Sequence, residues 1–408
     1  MSSHPLVRGL IVIAVLLAGP ATATTRLLPL TRIDNPQAIA DPTAAIDSRF
    51  GAAVAVAGNV LLVGVPRHDA GGFDDRGQVR IFQRAGDAWN AVGSVEGAVA
   101  GANFGASLTI SGDIVVVGAP GANEARVYRL VGTTLTQVTS LTGGAGENAI
   151  GLAVAATAGA VFAGGADALV YRTGSGTTWS AQSSIGPSDP TRVAFGSSLA
   201  AASGRLLVGD PGQASGSGAV YTGADIGGGI WAVSGKFGQA GTLGLGSAVA
   251  WRGSDLAIVG APGSTVGVAP FAGSVVVRST AGAGALVQTL ARSPPQTGEN
   301  FGAALAVSGA VVLIGAPSDT AAASGAGALH VLRCQTSGST PCSFSQRVEV
   351  AGGASGDRFG FSVATDGGLA VVGAPRFDPA GSTDAGSIFV YAVDDESLFS
   401  DGFEGTQQ

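Results

Sequence analysis

Phe104-Gly105-Ala106-Ser107-Leu108-Thr109-Ile110-Ser111-Gly112-Asp113-Ile114-Val115-Val116-Val117-Gly118-Ala119-Pro120 is the stretch that decides the fold. Two short strand-forming runs, 106–111 and 114–117, flank Gly112-Asp113, a pair suited to a tight hairpin turn with positive φ. The second run is wholly apolar, as expected of a strand covered on both faces. Phe-Gly opens the hairpin and Gly-Ala-Pro closes it.

The pattern recurs along the chain. Phe50-Gly51, Phe195-Gly196, Phe301-Gly302 and Phe359-Gly360 repeat the opening, with weaker copies at Ile150-Gly151 and Leu245-Gly246. Each opening Gly is followed 13 residues later, or 14 in the fifth copy, by a second: Gly64, Gly118, Gly164, Gly209, Gly260, Gly315 and Gly373. Four copies read Gly-Ala-Pro, two read Gly64-Val65-Pro66 and Gly209-Asp210-Pro211, and the third degenerates to Gly164-Gly165-Ala166. A Gly also marks every hairpin turn (Gly58, Gly112, Gly159, Gly204, Gly253, Gly309 and Gly367), where the first central position of a two-residue turn asks for it.

Each unit continues past the Pro into a variable loop and a third strand opening on Gly or Ala, as at 77–83, 273–278, 327–333 and 386–391. A fourth strand then spaces two bulky residues six apart: Trp89 and Val95, Leu135 and Leu141, Trp179 and Ile185, Trp231 and Phe237, Phe344 and Val350. The fifth copy departs, because Leu286 is followed at that interval by Arg292.

Seven four-stranded units about 50 residues apart predict an all-β fold, a seven-bladed β-propeller of four-stranded antiparallel blades. The seventh unit has no room for a fourth strand after 387–393. Before the first unit, Leu27-Leu28-Pro29-Leu30-Thr31-Arg32-Ile33 carries the missing spacing. The ring is therefore expected to be closed by the N-terminal strand completing the last blade, which also hides an open sheet edge.

These landmarks resemble the FG-GAP repeats of integrin α-like propellers, in the short bacterial form. The resemblance spans about 27–393 and implies a rigid disc that binds partners through its loops. Integrin-type repeats often carry an aspartate-rich calcium loop between the first two strands. Here that connection is two residues, too short to supply the ~6 to 8 oxygen ligands of a calcium ion. No metal and no cofactor are expected.

Composition narrows the classes of function. Of 408 residues, 67 are Gly, 21 are Lys or Arg and 28 are Asp or Glu, with 46% apolar and a net charge of −7. Such a chain folds rather than staying disordered, and with Lys236 as the only lysine it has no basic groove for nucleic acid. Lys236 precedes Phe237, so the Gly-rich runs are not phosphate loops. His4, His68 and His330 are the only imidazoles, and none has a recognisable triad partner.

His4 and Arg8 lead into the apolar run Leu10–Ala18 and the small-residue site Ala21-Thr22-Ala23. This reads as a signal peptide over 1–23, giving an exported protein in the periplasm, at the cell surface or outside the cell, with no span left after cleavage. In an oxidising compartment Cys334 and Cys342 should pair. A metal site from His330 and both thiols fits no zinc spacing. Residues 24–393 form the propeller. Residues 394–408, with five acids around Leu398, Phe399 and Phe403, form a flexible tail.

The loop after each Pro and the link between blades share one face and vary most, which marks that face for binding. Blade 1 offers Arg67, His68, Asp69, Asp74 and Asp75 there, and blade 7 offers Arg376, Asp378 and Asp384 in matching positions. One reading makes this an acidic and aromatic patch for a cation or a basic partner. The other makes the Asp residues turn caps and the Arg–Asp pairs loop braces. Asp47, Glu147, Glu299 and Asp357, just before the opening motif, are read as turn caps, and Trp89, Trp179 and Trp231 as packing between blades. Trp251 lies off that register, beside a hairpin turn.

The expected function is a monomeric, non-catalytic binding or adhesion module for a protein or glycan partner. The alternative is a lyase or glycosidase using carboxylates at the loop face or central channel. An acid cluster in a deep central cleft would favour the enzyme.

Overall fold

The structure is a computed structural model. It describes residues 25–395 apart from 42, 188, 190, 282–283 and 336–340, so the expected signal peptide and nearly all of the expected tail lie outside the described residues.

Seven antiparallel sheets follow one another around a ring: blade 1 over 53–96, blade 2 over 107–142, blade 3 over 153–185, blade 4 over 198–237, blade 5 over 248–290, blade 6 over 304–348 and blade 7 over 362–395. In blades 1 to 6 the strands pair in chain order from the first outward. Blade 7 supplies only three from the C-terminal end. Its outer strand is Thr25–Asp34, antiparallel to Ser387–Asp395, with Leu27 opposite Val393 and Ile33 opposite Ile388. The predicted closure is thus present, and the last strand runs on to Asp395.

Burial follows the strand order. The second strands, such as Val60–Val65, Ile114–Ala119 and Val311–Ala316, are buried at every residue. Their alternate side chains feed the cores on either side. There are seven such cores, one at each junction between neighbouring blades. The junction of blades 7 and 1 joins Val371, Ile388 and Val390 to Val54, Leu61 and Phe82, and Trp89 packs against it. Trp179 and Trp231 pack at the next equivalent junctions.

Glycine makes the blades fit. A Cβ on Gly64 would stand 2.0 Å from the carbonyl oxygen of Gly105 in the next blade. The other six closing glycines meet the opening Gly of the following blade in the same way, ending with Gly373 against Gly51 across the closure. Each opening Gly also donates its N–H to the closing Gly of its own blade, as Gly51 does to the Gly64 carbonyl at 3.0 Å. The seven opening hydrophobes, from Phe50 to Phe359, are fully buried.

Four local features depart from the repeat reading. The turn glycine is not always first of two: blade 4 uses Ser203-Gly204, and blades 3, 5 and 7 have three-residue turns. Gly159, third of its three-residue turn, alone of the turn glycines lacks a positive φ. The outer strand of blade 3 is split into Thr178–Trp179 and Ser183–Ile185, since the Ser180 hydroxyl takes the Thr173 N–H in place of a ladder bond. A five-residue helix, Pro36–Ala40, links the closing strand to blade 1, capped by Asn35, whose side chain accepts from the Gln37 N–H. Asn35 also donates to Ser48 Oγ and to the Ala385 carbonyl, tying the link to blade 7.

The fifth blade resolves its own irregularity. Its outer strand, Leu286–Leu290, carries a bulge opposite Val277 and Arg278, so Leu290 takes the buried place and Arg292 is freed for another role.

Candidate functional site

The opening and closing motifs lie at one end of every blade and the hairpin glycines at the other, so all post-Pro loops share one face. Two of these loops were singled out by sequence, and they are built alike. Asp69 Oδ1 accepts the Asp75 N–H at 2.7 Å, and Asp378 Oδ1 accepts the Asp384 N–H at 2.7 Å. Asp75 and Asp384 both sit in the left-handed region, at φ 49° and 52°. The side chains of Asp69 and Asp378 thus act as equivalent braces. Asp74 is exposed, and its carbonyl accepts the Gly101 N–H from the link to blade 2. His68 is buried, and burial holds its imidazole below the usual histidine range.

Arg67 and Arg376 turn the other way. They line one cavity of about 310 Å³ together with Arg49 and Arg358. The cavity shares Ala52, Ala106 and Leu152 with the central channel, which places it at the channel mouth on the loop face. Among the described residues Asp47 is the only carboxylate in contact with the group: its Oδ1 pairs with Arg49 at 2.8 Å and its Oδ2 with Arg67 at 2.5 Å. Arg358 and Arg376 meet no carboxylate within ion-pair distance among the described residues. Burial, and then the neighbouring Arg376 and Arg49, weaken the hold of Arg358 on its proton. The structure therefore sets a cationic group at the channel mouth, beside loops in which Asp69 and Asp378 brace the backbone.

The signal for it was in the repeat. Arg67 and Arg376 occupy the position after Pro, and Arg49 and Arg358 the position before Phe-Gly. Sequence reasoning aligned the first pair and missed the second.

The channel itself offers little chemistry. Its lining comes from the first strands of all seven blades and is made of Ala, Val, Leu and Ser. Titratable groups collect elsewhere. Glu147, Glu299 and Asp357 each accept the N–H three residues earlier, capping their turns as expected. Asp47 instead spends its carboxylate on two arginines.

Glu299 belongs to a buried network between blades 5 and 6. Its ligand atoms, with those of Asp319 and His330, lie within 4.8 Å of one another. Arg292, freed by the bulge, reaches Glu299 at 3.3 Å, and Arg347 reaches Asp319 at 2.7 Å. Burial pushes the Glu299 carboxyl up to about 7 and the His330 imidazole down to about 4. Arg347 also pairs with Glu349. His330 takes the strand position held by Tyr221 and Phe389 in blades 4 and 7, edge-on to Phe301 at 5.0 Å as they are to their own opening Phe. It fills an aromatic slot. Cys334 and Cys342 are joined in a disulfide and packed in the same core.

No curated protein matches the chain. A family model described as the FG-GAP repeat matches residues 345–391, the outer strand of blade 6 through the third strand of blade 7. That segment carries one opening and one closing motif, and the same two motifs hold all seven blades together. Residues 345–391 match the FG-GAP repeat, and the ring as a whole is a seven-bladed β-propeller whose blades recur on the same opening and closing positions.

Proposed function

We propose that the chain is an exported, non-catalytic binding or adhesion module that presents its loop face to a protein or glycan partner. The observation that carries this is a contrast within one ring. The glycine contacts are the same in all seven blades and every junction holds a buried apolar core, whereas the loop-face side chains differ from blade to blade and break the repeat at blades 7 and 1. A rigid scaffold with variable loops on one side is how binding surfaces are built. The disulfide suits an oxidising compartment, and among the described residues no helix is long and apolar enough to cross a membrane.

The test is capture by the immobilised full chain from an envelope fraction of the source organism. Replacing loop 67–76 with the short blade 2 connection 120–123 should abolish capture of the retained component. Asp113→Ala, on the opposite face where Asp113 pairs with Arg129, should leave it intact. Capture that ignores the loop exchange, or release of a cleaved glycan from the retained material, contradicts the reading.

A further inference from the structure

We infer that the four-arginine cup at the channel mouth is a site for the carboxylate-bearing end of an acidic glycan, an inference that rests on the loop face being the binding surface. Only blades 7 and 1 carry Arg both before Phe-Gly and after Pro, and ring closure makes them neighbours. At the pre-Phe position the other blades hold Asn103, Ala149, Ala194, Gly244 and Asn300. Arg49 and Arg358 adopt the same left-handed backbone, at φ 60° and 58°, as Asn103 and Asn300 at 52° and 56°. Asn suits that conformation better than Arg, so the backbone does not ask for arginine. Nor does the core, since all four side chains are part-exposed in a cavity.

Electrostatics points the same way. Four guanidinium groups have one carboxylate in contact, Asp47, among the described residues; Arg358 and Arg376 form no ion pair there, and Asp384 acts on Arg358 only at longer range, outweighed by the repulsion of Arg376 and Arg49. Like charges gathered in a cleft at the expense of the folded state suit an anion supplied from outside. Planar guanidinium forks bind carboxylates bidentately, and more than one carboxylate is needed to balance the group.

The rest of the cup favours a sugar acid over an acidic peptide. Its walls are the rings of Pro66, Pro120 and Pro375 with Phe361 and Leu152, 40% and 42% exposed, apolar surfaces that suit the C–H faces of a pyranose. The rim amides are already spent: Gly51, Gly105 and Gly360 donate within their blades, and Ala52, Ala106 and Phe361 donate to the residue three before them. An extended peptide needs such groups along a sheet edge, and this cup offers none. A volume near 310 Å³ is at the small end of ligand pockets of roughly 300–1,000 Å³, room for a chain end.

Titration calorimetry of the full chain with trigalacturonate tests the inference. Binding should be salt-sensitive, absent for the carboxyl-reduced trimer and for a Glu hexapeptide, and weakened at least tenfold in Arg358→Gln/Arg376→Gln. That variant should melt no lower than the wild type, because it removes repulsion. No binding of trigalacturonate, equal binding by the double variant, or equal binding of the hexapeptide overturns the assignment. If trigalacturonate fails while loop-dependent capture from the envelope persists, only this inference falls; if both fail, the binding reading falls with it.

Discussion

Gly260→Ala is the sharpest probe of how the blades are joined. A methyl group there would stand 2.0 Å from the Gly302 carbonyl oxygen, about 1 Å inside the 3.0 Å that real Cβ contacts keep. The obstacle is backbone, and Gly302 is itself fixed by its bond to the Gly315 carbonyl. Relief therefore requires blades 5 and 6 to part, loosening the core formed by Ile258, Val275, Phe301 and Ile314. Overpacking a core typically costs ~1 to 3 kcal/mol, and a rigid neighbour puts this change at or above the upper end, about 3 kcal/mol. Gly253→Ala is the matched control. Its added methyl meets nothing within 4 Å, but its φ is +59°, so the cost is conformational, ~1 to 2 kcal/mol. Guanidinium unfolding of the two variants beside wild type separates a steric from a conformational cost. A Gly260→Ala midpoint equal to or above that of Gly253→Ala would refute the contact between closing and opening glycines as the joint between blades.

Two further outcomes follow from buried groups. Burial raises Glu299 from about 4.5 to about 7, so its contribution to stability is full below about pH 4.5 and is lost as pH rises through 7. Burial lowers His330 from about 6.5 to about 4, so its contribution is full above 6.5 and is lost as pH falls through 4. The two slopes oppose each other between about pH 4.5 and 6.5. Thermal midpoints should therefore be flatter with pH in the wild type than in either variant: Glu299→Gln should lose stability on acidification and His330→Gln on alkalinisation, and identical profiles would contradict the network. Reducing the Cys334–Cys342 bridge, which spans eight residues in sequence, should lower stability by ~2 to 3 kcal/mol. A midpoint unchanged by a Cys334→Ala/Cys342→Ala variant would show that it does not constrain the unfolded chain.

Most of the fold was legible because its constraints are local. A glycine is required wherever one blade's backbone touches the next, so Gly64 through Gly373 recur at fixed spacing whatever the surrounding residues do. Ring closure was legible by subtraction, since blade 7 lacks an outer strand and 27–33 carries its pattern. The split strand at Ser180 and the Asn35-capped helix were not, because both depend on one side chain capturing a backbone group that the repeat normally uses. The buried Glu299, Asp319 and His330 group was hidden for a different reason. Its members come from the link before blade 6, the post-Pro loop and the third strand, and no spacing joins them. The axial arginines lay between these cases: half the cluster was visible as the match of Arg67 with Arg376, and the rest needed Arg49 to be compared with Arg358.

The joining of the two ends of the chain in blade 7 is tested most directly by amide hydrogen exchange across residues 25–34 of the folded protein. These amides should exchange as slowly as those of 387–393, in one cooperative unit with the ring. Exchange of 25–34 at the rate of an unstructured peptide, with 387–393 still protected, would contradict a ring closed by the N-terminal strand.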